Sequence, residues 1–376
     1  MTSNQINQKI TCLQIIPFLG TGGIERGALD TFRYLHSINI KNYIICEDYN
    51  PNLIEDKETQ YIFKINNKKF KNLWSQNSIK KQLSQIISKY HINLIHISSR
   101  APAFFLYNFI KSCPVTYITS FHNPYKHQNF IKKFYNSFLL KGDRVIANSY
   151  FTKNHIVKYY NFKKKINVIQ RGVDLNYFNP DLIDIDLVNN LKKEMKISIT
   201  DKVFIIPSRL TSWKGHELFL LNLNQSNLKN THSFKVIIFS NNKILAKKLI
   251  EFASSLGMKN NIIIKDEVSD IRLYYFLSDI VISSSIRPEG FGRTVSEALA
   301  MNKLLIAPNQ GGTKEQLEMF DSNLLYDVTN LESFKKALDY ALSNLEMHKN
   351  KRRKYIMSNF SLNSMINKTV KLYGII

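Results

Sequence analysis

The chain has 376 residues, 44% of them hydrophobic and 12% aromatic, with a net charge of +23. That length exceeds the usual ceiling for one hydrophobic core and predicts two domains, and the composition excludes a disordered or low-complexity chain. Three cysteines, Cys12, Cys46 and Cys113, without CxxC spacing exclude a disulfide framework and a zinc module, and suit a reducing compartment.

The charge is unevenly spread. Residues 1 to 180 carry 25 Lys and Arg against 9 Asp and Glu, a net of +16, and no acidic residue lies between Thr59 and Gly142. Such a one-signed field attracts anions such as phosphate-bearing lipids, acidic glycans or nucleic acid; a solvated surface in a Lys-rich and Asn-rich background is the plainer alternative.

The first predicted strand is "ITCLQIIPF". It faintly resembles a signal-peptide core, but only Lys9 precedes it and "GTGGIERG" stands where a cleavage site would be. No apolar run approaches the roughly 18 residues of a membrane span, so a cytoplasmic location is expected. Gly20 to Gly23 then lead into a helix predicted over 24–38. Gly22 and Gly23 would let backbone N–H groups approach an anion, although a merely tight turn reads equally well. Glu25 occupies the place of the third glycine of a dinucleotide fingerprint, which argues against nicotinamide chemistry.

Strands "YIICEDY", "QYIFKIN", "NLIHISS", "VTYITSFH", "RVIANS" and "INVIQRGVD" follow, with helices predicted over 75–90 and 149–160. Alternation of β-branched runs with helical periodicity predicts a parallel sheet with crossover helices. His122 ends one of these strands in "SFHNPY"; a lone histidine there is ordinarily structural. In "NPYKHQNFIKKFYNSFLLKG", Phe130, Phe134 and Phe138 recur at helical spacing, beside Ile131, Tyr135 and Leu139 and near Lys126, Lys132 and Lys133. This stripe suits either the core or an anionic bilayer.

"LNYFNPDLIDIDLVNN" breaks the rhythm and is read as the linker, giving domains 1–180 and 181–376. Its Asp184-x-Asp186 superficially matches a metal-binding pair, but it lies away from any strand end. The alternation resumes with "KVFIIPSR", "FKVIIFS", "NIIIKD", "DIVISSS", "KLLIAP" and "NLLYDV". Ligands of such sheets sit beyond the carboxyl ends of the strands. Arg209 and Lys214 share one strand-to-helix loop and could together hold a diphosphate, or form a solvated pair. Phosphate-loop, GxSxG and HExxH signatures are absent.

The stretch "RPEGFGRTVSEALAM" places Glu289 on a glycine-turned loop and Glu297 about one turn into the next helix. Carboxylates grip paired hydroxyls, while the N–H groups of Phe291, Gly292 and Arg293 remain available for phosphate, with Gly290 in the same donor-binding loop. Hydroxyls on acids and phosphates on amides and cations together describe a nucleotide-sugar.

With "GTGGIERG", "IANSYFTKNHI", "VIQRGVDLNYFNP", "PSRLTSWKGH" and "RPEGFGRTVSEALAMNKLLIAPNQGGTKE", the chain resembles over nearly its whole length a retaining glycosyltransferase of family 4. The resemblance implies the α/β GT-B fold, two Rossmann-like doubly wound domains facing across a cleft: an N-terminal acceptor domain and a C-terminal nucleotide-sugar domain. The last helix is a candidate to pack back on the first domain. By the same resemblance Arg209 and Lys214 bind the donor diphosphate and Glu297 the ribose. Glu289 with the amides of Phe291 and Gly292 faces the sugar, Gly22 and Gly23 flank the phosphates, and His122 lies beside the reacting centre. No cofactor or metal is implied beyond the nucleotide-sugar.

An acceptor that is a glycan or lipid-linked, at the inner face of the cytoplasmic membrane, is expected, as in lipopolysaccharide assembly; nucleic acid is not an expected partner, although a basic nucleic-acid- or membrane-binding protein without catalysis is the alternative. Departures from the family pattern are Asn123 after His122, "PSRL" for Gly-Arg-Leu, and Arg171 where Asn is usual. Base specificity would depend on loops such as "KDEVSDIRLYY".

Overall fold

The computed structural model describes residues 10–20, 22–65, 69–125, 128–266 and 268–375. Two compact units emerge: Met1–Arg171 with Asn363–Ile376, and Gly172–Leu362.

Among the described residues the main sheet of the first unit has seven parallel strands: β1 (Cys12–Ile15), β2 (Asn42–Cys46), β3 (Ile62–Lys64), β4 (Leu94–Ile97), β5 (Thr116–Phe121), β6 (Arg144–Ala147) and β7 (Ile166–Val168). Their spatial order is β3-β2-β1-β4-β5-β6-β7. Burial on both faces explains why they read as continuous apolar runs rather than alternating ones. Helix α1 (Gly23–Ser37) covers one face through Ala28, Leu29 and Phe32, and α2 (Gln76–Tyr90) covers the other through Ile79, Leu83 and Ile86. Helices α3 (Phe130–Ser137) and α4 (Tyr150–Tyr160) link β5, β6 and β7.

The second unit opens with α5 (Ile185–Glu194) and repeats the plan with β8 (Lys202–Arg209), β9 (Phe234–Phe239), β10 (Ile262–Lys265), β11 (Ile280–Ile282), β12 (Leu304–Pro308) and β13 (Leu325–Tyr326), in the order β10-β9-β8-β11-β12-β13. In each sheet the order reverses beside one central strand, between β1 and β4 and between β8 and β11. The loops leaving two neighbouring strands diverge there, and a crevice opens at their carboxyl ends.

The stretch expected to be a linker lies inside the second unit. Val173, Phe178, Ile183 and Val188 are buried in its core. Its polar residues serve as local caps: Asp174 Oδ1 accepts from Asn176 N and Tyr177 N, Asn179 Oδ1 from Asp181 N, and Asp184 Oδ1 from Asp186 N and Leu187 N at the start of α5. Arg353 donates to the carbonyls of Leu175, Phe178 and Ala300. A Pro, Asn and Asp cluster thus marks turns, and here those turns are packed. Asp184, half of the superficial metal pair, is a helix cap.

The chain passes between units twice, and the passing segments are bonded together: Val173 N donates to Phe360 O and Leu362 N to Val173 O, each at 2.9 Å. Gly172 permits this, because a Cβ there would collide with Leu362 Cα and Ser361 O. The final helix, α10 (Leu362–Tyr373), buries Met365, Ile366, Val370 and Tyr373, and all of it after Leu362 belongs to the first unit. Tyr373 OH lies 2.6 Å from His96 Nδ1 on β4, and His96 Nε2 lies 2.7 Å from Ser120 Oγ on β5. Arg144 adds a bond to Leu372 O.

Burial first, and then the field of Arg171, push the His96 imidazole down to about 3. Burial also drives His216, in the second unit, down to about 4. Both rings stay neutral when folded yet take a proton near pH 6.5 once unfolded. Stability is therefore unaffected above about pH 6.5 and falls as the pH drops toward 4, by about 1.4 kcal/mol per pH unit for each histidine. Urea midpoints measured between pH 7.5 and 4.5 should decline accordingly, and His96→Gln should flatten the slope.

Candidate active site

In the second unit both predicted loops leave the strands that flank the order reversal. After β8, Arg209 stands exposed at the strand end, and a short turn, Ser212–Lys214, leads to Gly215. Gly215 has φ +69, and an added Cβ would collide with Ser284 O, so only glycine fits the approach. Helix α6 (His216–Asn224) starts there. The loop after β11 runs alongside: Ile286 N donates to Trp213 O at 3.0 Å and Ser284 Oγ to Lys214 O at 2.7 Å.

This stitching sets Lys214 Nζ 2.8 Å from Glu289 Oε1, with side chains only 15% and 17% exposed. Ser285 Oγ donates to the same oxygen, and Lys214 Nζ lies 4.5 Å from the Trp213 ring centre. Eight residues on, Glu297 accepts from Tyr275 OH at 2.9 Å and pairs with Arg293 at 3.2 Å. Each carboxylate thus arrives with one cation and one hydroxyl already on it. Ser285 and Tyr275 were not singled out in the sequence; Ser285 lies four residues before Glu289 on the same loop, and Tyr275 on the helix that precedes β11.

Gly292, at φ +82, caps helix α7 (Arg293–Ala300) without a side chain, so no side-chain cap covers the N–H groups of the first turn, of which Val295 N turns back onto Gly292 O at 3.1 Å. The loop before it is clamped by helix α8 (Gly311–Leu317). Gly312 N donates to Glu289 O at 2.9 Å, Gln316 Nε2 to the carbonyls of Phe291 and Gly292 at 2.6 and 3.1 Å, and Gln310 Nε2 to Ser285 O at 3.0 Å. A Cβ on Gly312 would overlap the Phe291 backbone, and Phe291 is itself buried against Phe360. The "QGGTKEQ" run, which the sequence offered only as part of a resemblance, is the cradle of the glutamate loop.

In the first unit, Gly22 is the N-cap of α1 and Gly23 its first residue. The Glu25 carboxylate folds back beside Gly22, so an anion reaching these amides would displace it. His122 follows β5 and is buried, its carbonyl accepting from Asn148 Nδ2 at 2.8 Å. Arg171 Nη2 lies 3.2 Å from its Nδ1 and 3.3 Å from its Nε2. Burial, then the charge of Arg171 and the proximity of His96, hold His122 neutral far below the usual histidine range. It borders a cavity of about 30 Å³, room for a water or two, lined also by Gln14, Ser98, Ser120 and Thr369.

The aromatic stripe divides between both readings. Phe130, Ile131 and Phe134 are 80%, 75% and 50% exposed, whereas Leu139 is fully buried and Phe138 packs on the core. Lys126 lies outside the described residues, as does Glu267 of the stretch "KDEVSDIRLYY". Among the described residues no helix is long and apolar enough to cross a membrane.

Residues 188–357 match the family model for glycosyl transferases group 1, and residues 21–177 that for glycosyltransferase family 4. A glycosyltransferase from Rickettsia africae ESF-5 is 33% identical, with a TM-score of 0.85, over 97% of this chain and 98% of that one. Anabaena HepE, solved with UDP and glucose, superposes with a TM-score of 0.81 at 16% identity, over 98% of this chain and all of that one. WaaG, a glycosyltransferase involved in lipopolysaccharide biosynthesis, gives 0.76 at 11%, over 96% and 99%. These two establish the GT-B fold. YtcC of Bacillus subtilis (strain 168) is 26% identical over 274 residues, 68% of this chain and 65% of that protein.

Gly312→Ala would push the glutamate loop off its cradle. A loss of about 1–3 kcal/mol is expected, with a change in Trp213 fluorescence; an unaltered urea midpoint would contradict the clamp.

Proposed function

Because the chain belongs to the group 1 glycosyl transferases of glycosyltransferase family 4, we propose that it transfers a hexose-type sugar from a nucleotide diphosphate sugar to a glycan or lipid-linked acceptor, with retention of configuration. The setting we infer is bacterial envelope polysaccharide or lipopolysaccharide synthesis, at the inner face of the cytoplasmic membrane. The observation that carries this reading is the Lys214 and Glu289 pair on adjoining loops, beside the amide-rich start of α7.

Each part has a role in the reaction. Lys214 and Arg209 take the donor diphosphate, Glu297 the ribose hydroxyls, and Glu289 with the amides of Phe291 and Gly292 the sugar. Arg293, bound to Glu297, holds that carboxylate in place. As the anomeric C–O bond breaks, its electron pair moves to the departing phosphate oxygen. Fixed cations and amides stabilise the charge that accumulates there. The acceptor hydroxyl adds on the same face and passes its proton to that oxygen, so neither a metal nor a separate carboxylate base is required. His122, from the first unit, borders the transferred sugar.

Neighbours support the substrate class: HepE was solved with UDP and glucose, and WaaG is involved in lipopolysaccharide biosynthesis. For the membrane, Phe130, Ile131 and Phe134 project from a segment that also carries Lys132 and Lys133 and lacks acidic residues. Apolar rings with flanking cations suit an anionic lipid surface.

Thermal shift and hydrolysis measurements with a panel of UDP-, GDP- and ADP-sugars should single out one base, and turnover should persist in EDTA. Lys214→Met and Arg209→Met should each lower kcat by about 100- to 1,000-fold, equivalent to about 2.7–4 kcal/mol. No binding to any member of the panel would sink the proposal. Vesicles rich in phosphatidylglycerol should bind the protein at low salt and release it at high salt, and Phe130→Ser with Phe134→Ser should weaken that binding.

A further inference from the structure

Arg171 stands where the family pattern has asparagine, and its surroundings are specific to this chain. The segment after β7 carries it to His122, with Nη2 nearly equidistant from the two ring nitrogens, 3.2 and 3.3 Å. One carbon, Cε1, separates those nitrogens, so an atom in the ring plane at those distances would collide with it. Nη2 therefore lies over the face of the ring, stacked on the imidazole close to both of its nitrogens.

The stack has a seat. A Cβ built on Gly27 of α1 would overlap Arg171 Nη1 and lie 3.0 Å from Cζ. Gly27 sits mid-helix, where glycine costs about 0.5–1 kcal/mol relative to alanine, so its bare Cα is a concession to the guanidinium. Ile169 and Thr31 border the same cavity. The charged or titratable groups whose fields reach His122 are Arg171, from the segment after β7, and His96, from β4.

We infer that Arg171 is a positioning residue for His122: its guanidinium, seated in the notch left by Gly27, fixes the imidazole face so that the ring edge stays directed to sugar hydroxyls. A second positive charge beside an oxocarbenium-like centre is avoided, because burial first, and then the neighbouring cation, keep the ring from taking a proton. This rests on the reading that places His122 beside the transferred sugar.

The test compares wild type, Arg171→Met, Arg171→Lys and Gly27→Ala, with His122→Gln to assign the signal, by histidine 13C NMR titration from pH 5 to 8. In the wild type His122 should not titrate. In Arg171→Met, and likewise in Gly27→Ala, its pKa should rise. Gly27→Ala acts from the opposite side of the contact and favours the helix, so its thermal stability should hold. With the best donor of the nucleotide-sugar panel, kcat should fall between about 10- and 100-fold with KM changed less than about twofold, and the acid limb of the pH profile should move upward. Arg171→Lys, which keeps charge without a plane, should be intermediate.

A His122 signal that stays silent in both Arg171→Met and Gly27→Ala, or folded variants with a wild-type pH profile, would overturn the inference. An inactive His122→Gln beside a fully active Arg171→Met would reject the positioning role and leave the reading of His122 intact. A His122→Gln variant that transfers at the wild-type rate would reject that reading and the inference with it.

Discussion

A lysine and a glutamate held 2.8 Å apart, each about five-sixths withdrawn from water, organise the second unit's site. Removing one member of such a pair strands the other charge in a poorly solvated place, at a cost that reaches about 3–5 kcal/mol when burial is complete. The pair therefore pins together the two loops that leave β8 and β11, which no strand hydrogen bond reaches. It also keeps both groups in position, so a ligand bearing phosphate and hydroxyls meets charges that are already ordered. Preorganisation of that kind is what gives electrostatic stabilisation its strength.

The ion pair could not form without glycine. Gly215 lets the first loop touch Ser284, and Gly311 and Gly312 let a helix start lie directly on the backbone of residues 289 to 291. Gln316 then satisfies three carbonyls, those of Phe291, Gly292 and Gly312, from one amide nitrogen. Backbone on backbone is the tightest packing a chain can make, and it holds a loop rigid without regular secondary structure. Rigidity here serves the chemistry, since a loop that wandered would carry Glu289 with it.

Much of this was legible from residues alone. Every strand named in the sequence exists, because β-branched runs bounded by Gly, Asn and Asp have few other uses, and the loops bearing Arg209, Lys214 and Glu289 fall where strand order reverses. Three things were not legible. The Pro180 region was read as slack because its polar residues look like a linker, whereas Asp174, Asn179 and Asp184 each bond to their own backbone while Val173, Phe178 and Ile183 enter the core. The aromatic stripe on α3 could not be divided by periodicity, since Phe134 and Phe138 share a helical face yet differ in burial. Partners such as Tyr275 and Arg171 come from distant segments, and proximity across a fold leaves no trace in local spacing.

The bond between His96 and Tyr373 joins residues 277 positions apart. During synthesis the first 171 residues leave the ribosome long before the helix that finishes their unit exists. Until then the seat of Met365, Ile366 and Val370 stays open, and His96 lacks one of its two partners. The Gly172–Leu362 unit, by contrast, is contiguous and can complete itself earlier. The order of assembly along the chain is thus inverted, with the first unit sealed only by residues made after the second, and a chain stalled or clipped before them would betray itself first in the unit that was translated earliest.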